Sequence, residues 1–216
     1  MISVEQILQM PNAAILAEKL KFALEAEQEK RHHFYDVIDE EKKMEFINGE
    51  IIFHSPAKLR HTKTIGLLHT LLRTYVDKNQ LGFVGFEKVL ISLTRNDYEP
   101  DICFFDKSKS QHFMPAQMRF PAPDFIVEVL SSSTAKHDRE TKFQDYAAHG
   151  VAEYWIVDPD KETIEQFVLQ TGEYELLLKT KDGAISSFVL PEFQIPVRAV
   201  FDKKTNLEAL ARLLAQ

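Results

Sequence analysis

The stretch of sequence that decides the fold runs from residue 125 to residue 157. It opens with FIVEVL (125–130), an almost wholly apolar run that is typical of a central strand covered on both faces. Residues 134–149 then show the spacing of a helix, with Gly150 at its end, and EYWIV (153–157) is the next strand. This strand–helix–strand order predicts a right-handed parallel crossover, and therefore a mixed α/β sheet with helices on its faces.

Further elements are expected on both sides of this stretch. MEFINGEIIFH (44–54) predicts a β-hairpin that turns at Asn48-Gly49. Residues 60–78 predict an amphipathic helix, whose apolar stripe is Ile65, Leu68, Leu72, Tyr75 and Val76. Strands are expected at 83–93 and 101–105, a C-terminal β-meander at 163–169, 173–179 and 184–190, and a closing helix at 206–216.

The first 35 residues predict a helical extension, which leaves 36–216 as the main domain. Pro11-Asn12 is a natural helix start, because an asparagine caps the first free backbone N–H groups. Apolar side chains follow at helical spacing, at Ile15, Leu16, Leu20, Ala23 and Leu24. The extension is either a packing or dimerisation arm or a helix that lies on its own domain.

Composition narrows the class of protein. The chain has 216 residues, a formal net charge of -7 and 44% hydrophobic residues, which is ordinary for a globular protein and excludes collagen-like and largely disordered classes. One cysteine, Cys103, excludes an intramolecular disulfide framework and any multi-cysteine metal centre. No apolar run approaches the length of a membrane span, so we expect a cytoplasmic protein that does not enter membranes.

The informative residue is Glu128, a carboxylate inside an apolar strand. A buried, unpaired carboxylate costs several kcal/mol or becomes protonated. Glu128 therefore needs a metal ion, a cage of hydrogen bonds, or a salt bridge to a lysine or arginine. The strand sequence alone leaves these alternatives open.

A second carboxylate, that of Asp101, favours a metal ion over the other two partners considered for Glu128. Asp101 opens the strand DICFF directly after Pro100, and if that strand neighbours 125–130, Asp101 and Glu128 face one another. Two converging carboxylates, completed by water and phosphate, form a site suited to Mg²⁺ or Mn²⁺. Asp124 is a weaker candidate, since it more often accepts backbone hydrogen bonds at a turn.

Three further residues are candidates for the same site. Lys142 lies 14 residues after Glu128 on the following helix, where it either stabilises charge on a phosphate or is a solvated helix lysine. Glu50 in the hairpin and His61 at the start of the first core helix are additional candidates. Glu50 equally fits a surface strand position, and His61 an ordinary exposed histidine.

Other chemistries lack their motifs. The sequence contains neither GxGxxG nor GxxxxGKS, so dinucleotide and P-loop sites are unsupported. Ser131, Ser132 and Ser133 are not framed by GxSxG, and Cys103 in its apolar strand is expected to be an inert core thiol.

The segment PDFIVEVLSSSTAKHDRETKFQDYAAHGVAEYWIVDP (123–159) resembles the Uma-type (Uma two) family of restriction endonucleases, within the PD-(D/E)XK nuclease superfamily. MEFINGEI resembles the N-terminal hairpin of that family and EPDICFFDK its Pro-Asp strand. The resemblance implies a restriction-endonuclease-like core, with Asp101 as the metal-binding aspartate and Glu128 as the acidic motif residue. The superfamily lysine is expected at position 130, which is Leu130 here, and the resemblance points to Lys142 as its replacement.

We therefore expect a Mg²⁺- or Mn²⁺-dependent endonuclease that cuts DNA, acting as a homodimer. Three groups of basic residues would then line the cleft: Lys58, Arg60 and Lys63; Lys107, Lys109 and Arg119; Lys136, Arg139 and Lys142. The alternatives are a non-catalytic module of the same fold for oligomerisation or nucleic-acid binding, and a hydrolase of small phosphate esters.

Overall fold

The structure is a computed structural model that describes residues 3–39 and 42–215. The chain divides into two compact units, with the division between His54 and Ser55. The sequence placed its boundary earlier, after residue 35. The hairpin therefore groups with the N-terminal helix, and each unit is described by itself.

The first unit contains two helices and the hairpin. Its elements are α1 (Val4–Leu8), α2 (Ala13–Val37), β1 (Met44–Ile47) and β2 (Glu50–Phe53). Helix α2 begins directly after Asn12, as predicted, but the Asn12 side chain makes no capping hydrogen bond, and the helix ends two residues beyond position 35.

The predicted hairpin is confirmed. Strands β1 and β2 pair antiparallel, with Met44 opposite Phe53, and Asn48 and Gly49 have φ angles of 52° and 83°. Positive φ at both central residues is what a tight type I′ hairpin turn requires. Phe34 near the end of α2 packs on Phe46 of β1, with ring centroids 5.8 Å apart, so the C-terminal part of the helix covers the hairpin.

The second unit carries the rest of the chain. Its helices are α3 (Leu59–Asn79), α4 (Lys107–Ser110), α5 (Ala135–Arg139), α6 (Thr141–Ala148) and α7 (Lys203–Ala215), with a 3-10 helix at Val197–Val200. Its strands are β3 (Gly82–Phe86), β4 (Leu90–Ser92), β5 (Asp97–Tyr98), β6 (Ile102–Asp106), β7 (Arg119–Phe120), β8 (Phe125–Val129), β9 (Glu153–Asp158), β10 (Thr163–Gln170), β11 (Glu173–Thr180), β12 (Ala184–Ser186) and β13 (Gln194–Pro196).

Strand β8 lies inside a six-stranded mixed sheet of order β11-β10-β9-β8-β6-β3. It pairs antiparallel with β6 and parallel with β9, and all five of its residues are buried. The predicted central strand and the parallel crossover from β8 to β9 are therefore confirmed.

Side chains of β8 alternate between the two faces of the sheet. Phe125, Val127 and Val129 join the main hydrophobic core together with the predicted apolar stripe of α3. Glu128 consequently lies on the opposite face, where α6 contributes its buried residues Lys142 and Tyr146.

Two strand predictions need correction. The run 83–93 is not continuous, because the chain turns at Glu87, which has a φ of 60°, and so divides into β3 and β4. The third strand of the expected meander leaves the sheet, since β12 pairs with β13 in a separate two-stranded ribbon. The antiparallel succession β9-β10-β11 retains the meander.

The helix predicted over 134–149 is also divided. Glu140, with φ -116° and ψ -76°, separates α5 from α6. Gly150 follows α6 with a φ of 76°, as expected for a residue after a helix end.

The long segment between β6 and β8 is held at both ends. Asp124 Oδ2 accepts a hydrogen bond from the Asp106 backbone N–H at 2.8 Å, and Asp124 Oδ1 pairs with Lys109 Nζ at 2.8 Å. Asp124 thus anchors a turn, which was the more ordinary of its two expected roles. Among the described residues, no helix is long and apolar enough to cross a bilayer.

Candidate active site

Of the two predicted acidic residues, Asp101 directly precedes β6, and Glu128 lies on β8, which pairs with β6. Ile102 of β6 lies opposite Val127 of β8, so the next step of the antiparallel register sets Asp101 opposite Glu128. Residues that oppose each other directly in an antiparallel pair share one face of the sheet. Asp101 and Glu128 are both almost fully buried.

The carboxylate of Asp101 is held by two elements. Its Oδ2 accepts a hydrogen bond from the Val129 backbone N–H at 2.8 Å. The same oxygen lies 3.4 Å from Nε2 of His61, which belongs to the first turn of α3. His61, which the sequence offered as a candidate, therefore contacts Asp101, and its side chain is the more exposed of the two, at 13%.

Lys142 reaches the site from the first turn of α6. Its Nζ lies 3.0 Å from Glu128 Oε1 and 3.4 Å from Asp138 Oδ1, and its side chain is only 2% exposed. The lysine is therefore not a solvated helix residue. It supplies a positive charge next to Glu128, although it lies 12 positions beyond Leu130 in the sequence.

Aromatic side chains enclose this ammonium group. Tyr146, one turn after Lys142, donates its hydroxyl to Glu128 Oε1 at 3.0 Å, so lysine and tyrosine bind the same carboxylate oxygen. The ring centre of Tyr98 lies 5.7 Å from Lys142 Nζ, within the range of a cation–π contact. The rings of Tyr98 and Tyr146 pack edge to face, with centroids 5.3 Å apart.

A polar network fixes Tyr98 from the side of helix α6. Asp145 Oδ2 accepts hydrogen bonds from the Tyr98 hydroxyl and from Asn96 Nδ2, each at 2.7 Å. Asp145 Oδ1 lies 3.1 Å from His149 Nδ1, and His149 Nε2 lies 2.9 Å from Thr94 Oγ1. The β4–β5 connection is thereby tied to the end of α6.

The pKa of one buried tyrosine, Tyr154, is affected by the carboxylates of Glu128, Asp138 and Asp101. Burial raises the pKa of Tyr154 well above its ordinary value, and the negative charges of Glu128, Asp138 and Asp101 raise it further. Tyr154 donates its hydroxyl to the backbone carbonyl of Asp138 at 3.0 Å. The three acidic side chains thus act on the same buried region of the molecule.

The remaining predicted residues are either exposed or form ion pairs with other residues. Glu50 is exposed at the start of β2, in the first unit. Three of the basic residues expected around the cleft form ion pairs: Arg60 with Asp160, Lys109 with Asp124, and Arg139 with Glu165. Lys58, Lys63, Lys107, Arg119 and Lys136 are exposed.

The carboxylate oxygens of this site suit a hard divalent cation that is bound by only a few protein ligands. Asp101 and Glu128 supply carboxylate oxygens, and Mg²⁺ is commonly held by one or two carboxylates while it keeps several waters. Across residues 3–39 and 42–215, no group of three or more His, Cys, Asp or Glu side chains is arranged to hold a metal ion. A cage made entirely of protein ligands, as a structural zinc would need, is therefore not what this region offers.

Burial of a carboxylate in a strand does not by itself identify such a site. Glu153 at the start of β9 is also fully buried, yet it is a structural residue. It accepts hydrogen bonds from Trp155 Nε1, Gln166 Nε2, Ser187 Oγ and the backbone N–H groups of Phe188 and Val189, at 2.5 to 3.0 Å. The neighbours of Glu128 are instead a lysine, a tyrosine and two further carboxylates.

Three residues of this region, Asp138, Tyr146 and Tyr98, were not among the predicted site residues. Asp138 and Tyr146 lie four positions before and four after Lys142, which was the available signal, because residues at that spacing share one side of a helix. Tyr98 gave no signal, since its contact with Lys142 depends on how the β4–β5 connection folds back onto α6.

The chain is similar to known proteins in sequence and in fold. Residues 29–198 match the Uma2 family, described as a putative restriction endonuclease family. An uncharacterized protein of Synechocystis sp. is 29% identical over 139 residues, which span 63% of this chain and 77% of that protein.

A crystal structure from Anabaena variabilis, described as a putative nuclease belonging to DUF820, superposes with a TM-score of 0.67. It is 20% identical and covers 78% of this chain and 94% of its own. That likeness shows the fold, which is restriction-endonuclease-like as the sequence predicted. Because the family match spans most of the chain, including both acidic residues and Lys142, the chain belongs to the Uma2 family of putative restriction endonucleases.

Proposed function

We propose that the protein is a metal-dependent endonuclease that hydrolyses phosphodiester bonds in DNA, with Mg²⁺ or Mn²⁺ as the cofactor. The observation that carries this proposal is the pairing of Asp101 with Glu128 on one face of the sheet, with the Lys142 ammonium group 3.0 Å from Glu128. Two carboxylates and a lysine are the groups that such a reaction needs.

In this proposal Asp101 and Glu128 hold the metal ion. The Val129 N–H orients Asp101, and the Tyr146 hydroxyl orients Glu128, so both ligands are positioned before the ion arrives. When bound, the ion would act as a Lewis acid on the phosphoryl group and make a coordinated water easier to deprotonate.

Lys142 supplies positive charge at the same place. A buried ammonium group stabilises negative charge that develops on a phosphate more strongly than a solvated one does, because little water screens it. His61, which contacts Asp101 Oδ2, is the least buried of the site residues. The exposed Lys58 and Lys63 flank it at the start of α3, so we propose that the phosphate backbone approaches from this side.

The test is cleavage of plasmid and oligonucleotide DNA with Mg²⁺, Mn²⁺ or EDTA. We expect cleavage that requires the metal and is lost in Asp101→Asn and in Glu128→Gln. Lys142→Met should lower the turnover rate by about 10²-fold or more, the usual cost of one electrostatic group at a reacting centre.

Glu165→Gln is the matched control. Glu165 is a buried glutamate on β10 of the same sheet, two strands from β8, and its charged partners are Arg139 and Lys179. We expect this variant to keep its metal-dependent cleavage. Equal cleavage by wild type, Asp101→Asn and Glu128→Gln would reject the proposal.

Burial favours one second candidate, a non-catalytic module that keeps the nuclease fold to bind nucleic acid or to form oligomers. The side chains of Asp101, Glu128 and Lys142 are each at most 5% exposed, and Lys142 already pairs with Glu128. Calorimetry with Mn²⁺ separates the two functions. Absence of binding, or binding unchanged in Glu128→Gln, would favour the module.

Substrate and assembly are tested separately. Competition by duplex DNA against a small phosphate diester distinguishes a nuclease from a hydrolase of small phosphate esters. We propose a homodimer and a cytoplasmic location on the grounds of sequence, and sedimentation and cell fractionation are their tests.

A further inference from the structure

We infer that Asp138 is a positioning residue. It becomes the main ion-pair partner of Lys142 when Glu128 binds a metal ion. The inference rests on the proposed function and assigns a role to a carboxylate outside the pair Asp101 and Glu128. It starts from the position of Lys142 Nζ, which is 3.0 Å from Glu128 Oε1 and 3.4 Å from Asp138 Oδ1.

A small movement of Lys142 would not replace Glu128 with water as the partner of its ammonium group. Its side chain is 2% exposed, the ring of Tyr98 covers the ammonium group, and Tyr98 is itself held by Asp145. A buried ammonium group needs an anionic partner, because the cost of removing it from water is otherwise not offset.

Glu128 serves poorly as the partner of two cations at once. If it binds a divalent ion, the attraction between its carboxylate and Lys142 is largely cancelled by repulsion between the ion and the ammonium group. Lys142 would then oppose metal binding unless another carboxylate lay within reach.

Asp138 provides that carboxylate with almost no movement. It lies one turn before Lys142, across the break at Glu140, and its side chain is 1% exposed. The Asp138 backbone is held in place, since its carbonyl accepts the Tyr154 hydroxyl at 3.0 Å. Lys142 can therefore stay in the site and change its principal partner from Glu128 to Asp138.

The experiment measures Mn²⁺ affinity by calorimetry, with no substrate present. In Asp138→Asn, Lys142 retains only Glu128 as a charged partner among these contacts, so Mn²⁺ should bind about tenfold more weakly or worse, as for loss of other supporting groups around a metal. The double variant Lys142→Met with Asp138→Asn removes the competing ammonium group as well. We expect it to recover most of the lost affinity.

Asp138→Glu is the conservative variant, which keeps the carboxylate and should bind Mn²⁺ nearly as wild type does. It also keeps the inference testable if Asp138→Asn fails to fold, as judged by circular dichroism, because a large loss of affinity in Asp138→Glu with an intact fold would overturn it. Wild-type affinity in Asp138→Asn would overturn it too, and so would a double variant as weak as Asp138→Asn, since Asp138 would then act as a ligand or a scaffold. If wild type binds no Mn²⁺, the proposed function fails and the inference fails with it.

Discussion

At the scale of single residues, Glu128 and Glu153 separate a candidate site from a structural anchor. Both are buried glutamates in neighbouring strands of one sheet. Glu153 accepts five hydrogen bonds, and three of them, from Ser187, Phe188 and Val189, fasten the segment after Ser186 to the sheet. Glu128 instead shares a buried lysine with a second carboxylate. Burial alone would have selected either residue, and only the contacts distinguish them.

The hydroxyl of Tyr146 should matter more for stability than an ordinary buried hydroxyl. Tyr146→Phe removes a hydrogen bond to a charged acceptor, and we expect it to lower the free energy of unfolding by about 2 kcal/mol. For a chain of this size that corresponds to a fall of about 4–8 °C in Tm.

Tyr174→Phe is the matched control for this prediction, because the Tyr174 hydroxyl donates to the neutral carbonyl of Val151 at 2.8 Å. Its expected cost is about 1 kcal/mol. Urea denaturation of both variants checks the comparison. Equal losses would mean that Glu128 does not act as a charged acceptor in the folded protein.

Cys103 should be unreactive in the folded protein. Burial raises the pKa of its thiol, and the negative charge of Glu128 raises it further, so the reactive thiolate form is disfavoured at neutral pH. We expect a thiol reagent to label the native protein very slowly and to label one thiol per chain after denaturation. Labelling of the native chain at the rate of free cysteine would contradict this prediction.

At the scale of secondary structure, local patterns predicted the elements, and long-range contacts set where they break. The hairpin at Asn48-Gly49 and the apolar stripe of α3 follow from sequence neighbours, so both were predictable. The interruption at Glu140 was not, because no glycine or proline marks it. Its position depends on tertiary contacts that α5 and α6 make separately.

One of those contacts is the ion pair that ties α5 to the sheet. Arg139 binds both oxygens of Glu165 on β10, at 2.7 and 2.9 Å, and Lys179 on β11 contacts the same carboxylate at 3.0 Å. The hydrogen bonds from Arg139, aided by Lys179, hold the pKa of Glu165 below its ordinary value of 4.5, against the opposing effect of burial.

This ion pair predicts the direction in which the free energy of unfolding changes as the pH falls. A carboxylate with a lowered pKa in the folded state stabilises the fold fully above its unfolded pKa, and that stability is lost as the pH falls through the folded pKa. The difference in unfolding free energy between wild type and Glu165→Gln should therefore be constant from about pH 7 to 5 and shrink below about pH 4.5.

Urea denaturation at several pH values measures that difference. The exposed Glu175→Gln on β11 is the control, since it removes one negative charge from the same strand pair without touching Arg139. A difference that grows towards acid would reverse the sign and reject the ion pair as the cause.

At the scale of the whole molecule, the sequence predicted the α/β class and the face-sharing of Asp101 and Glu128 but not the environment around Lys142. The acidic pair follows from two strands and their register, which few alternatives can satisfy. The contacts of Lys142 with Asp138 and Tyr98 join parts of the chain that are distant or interrupted in sequence. Such contacts are visible only in the three-dimensional structure, and they are the basis of the role assigned to Asp138.

The N-terminal arm gives the last prediction, which concerns assembly. The exposed large apolar side chains of α1, α2 and their connection are Val4, Leu8, Met10, Ile15, Leu16, Leu20, Phe22, Leu24 and Val37. An exposed apolar surface of this extent is typical of an interface. If the arm joins two copies, wild type should sediment as a dimer and Leu20→Glu as a monomer, because a charge would be buried at the contact.

Leu207→Glu is the control for that change, since Leu207 on α7 is 56% exposed, close to the 59% of Leu20, but lies outside the arm. We expect this variant to remain dimeric, with both variants folded by circular dichroism. A monomeric wild type would contradict the homodimer itself. If Leu20→Glu remains dimeric, the contact between the two copies lies on another surface. The apolar side chains of the arm would then contact a different partner.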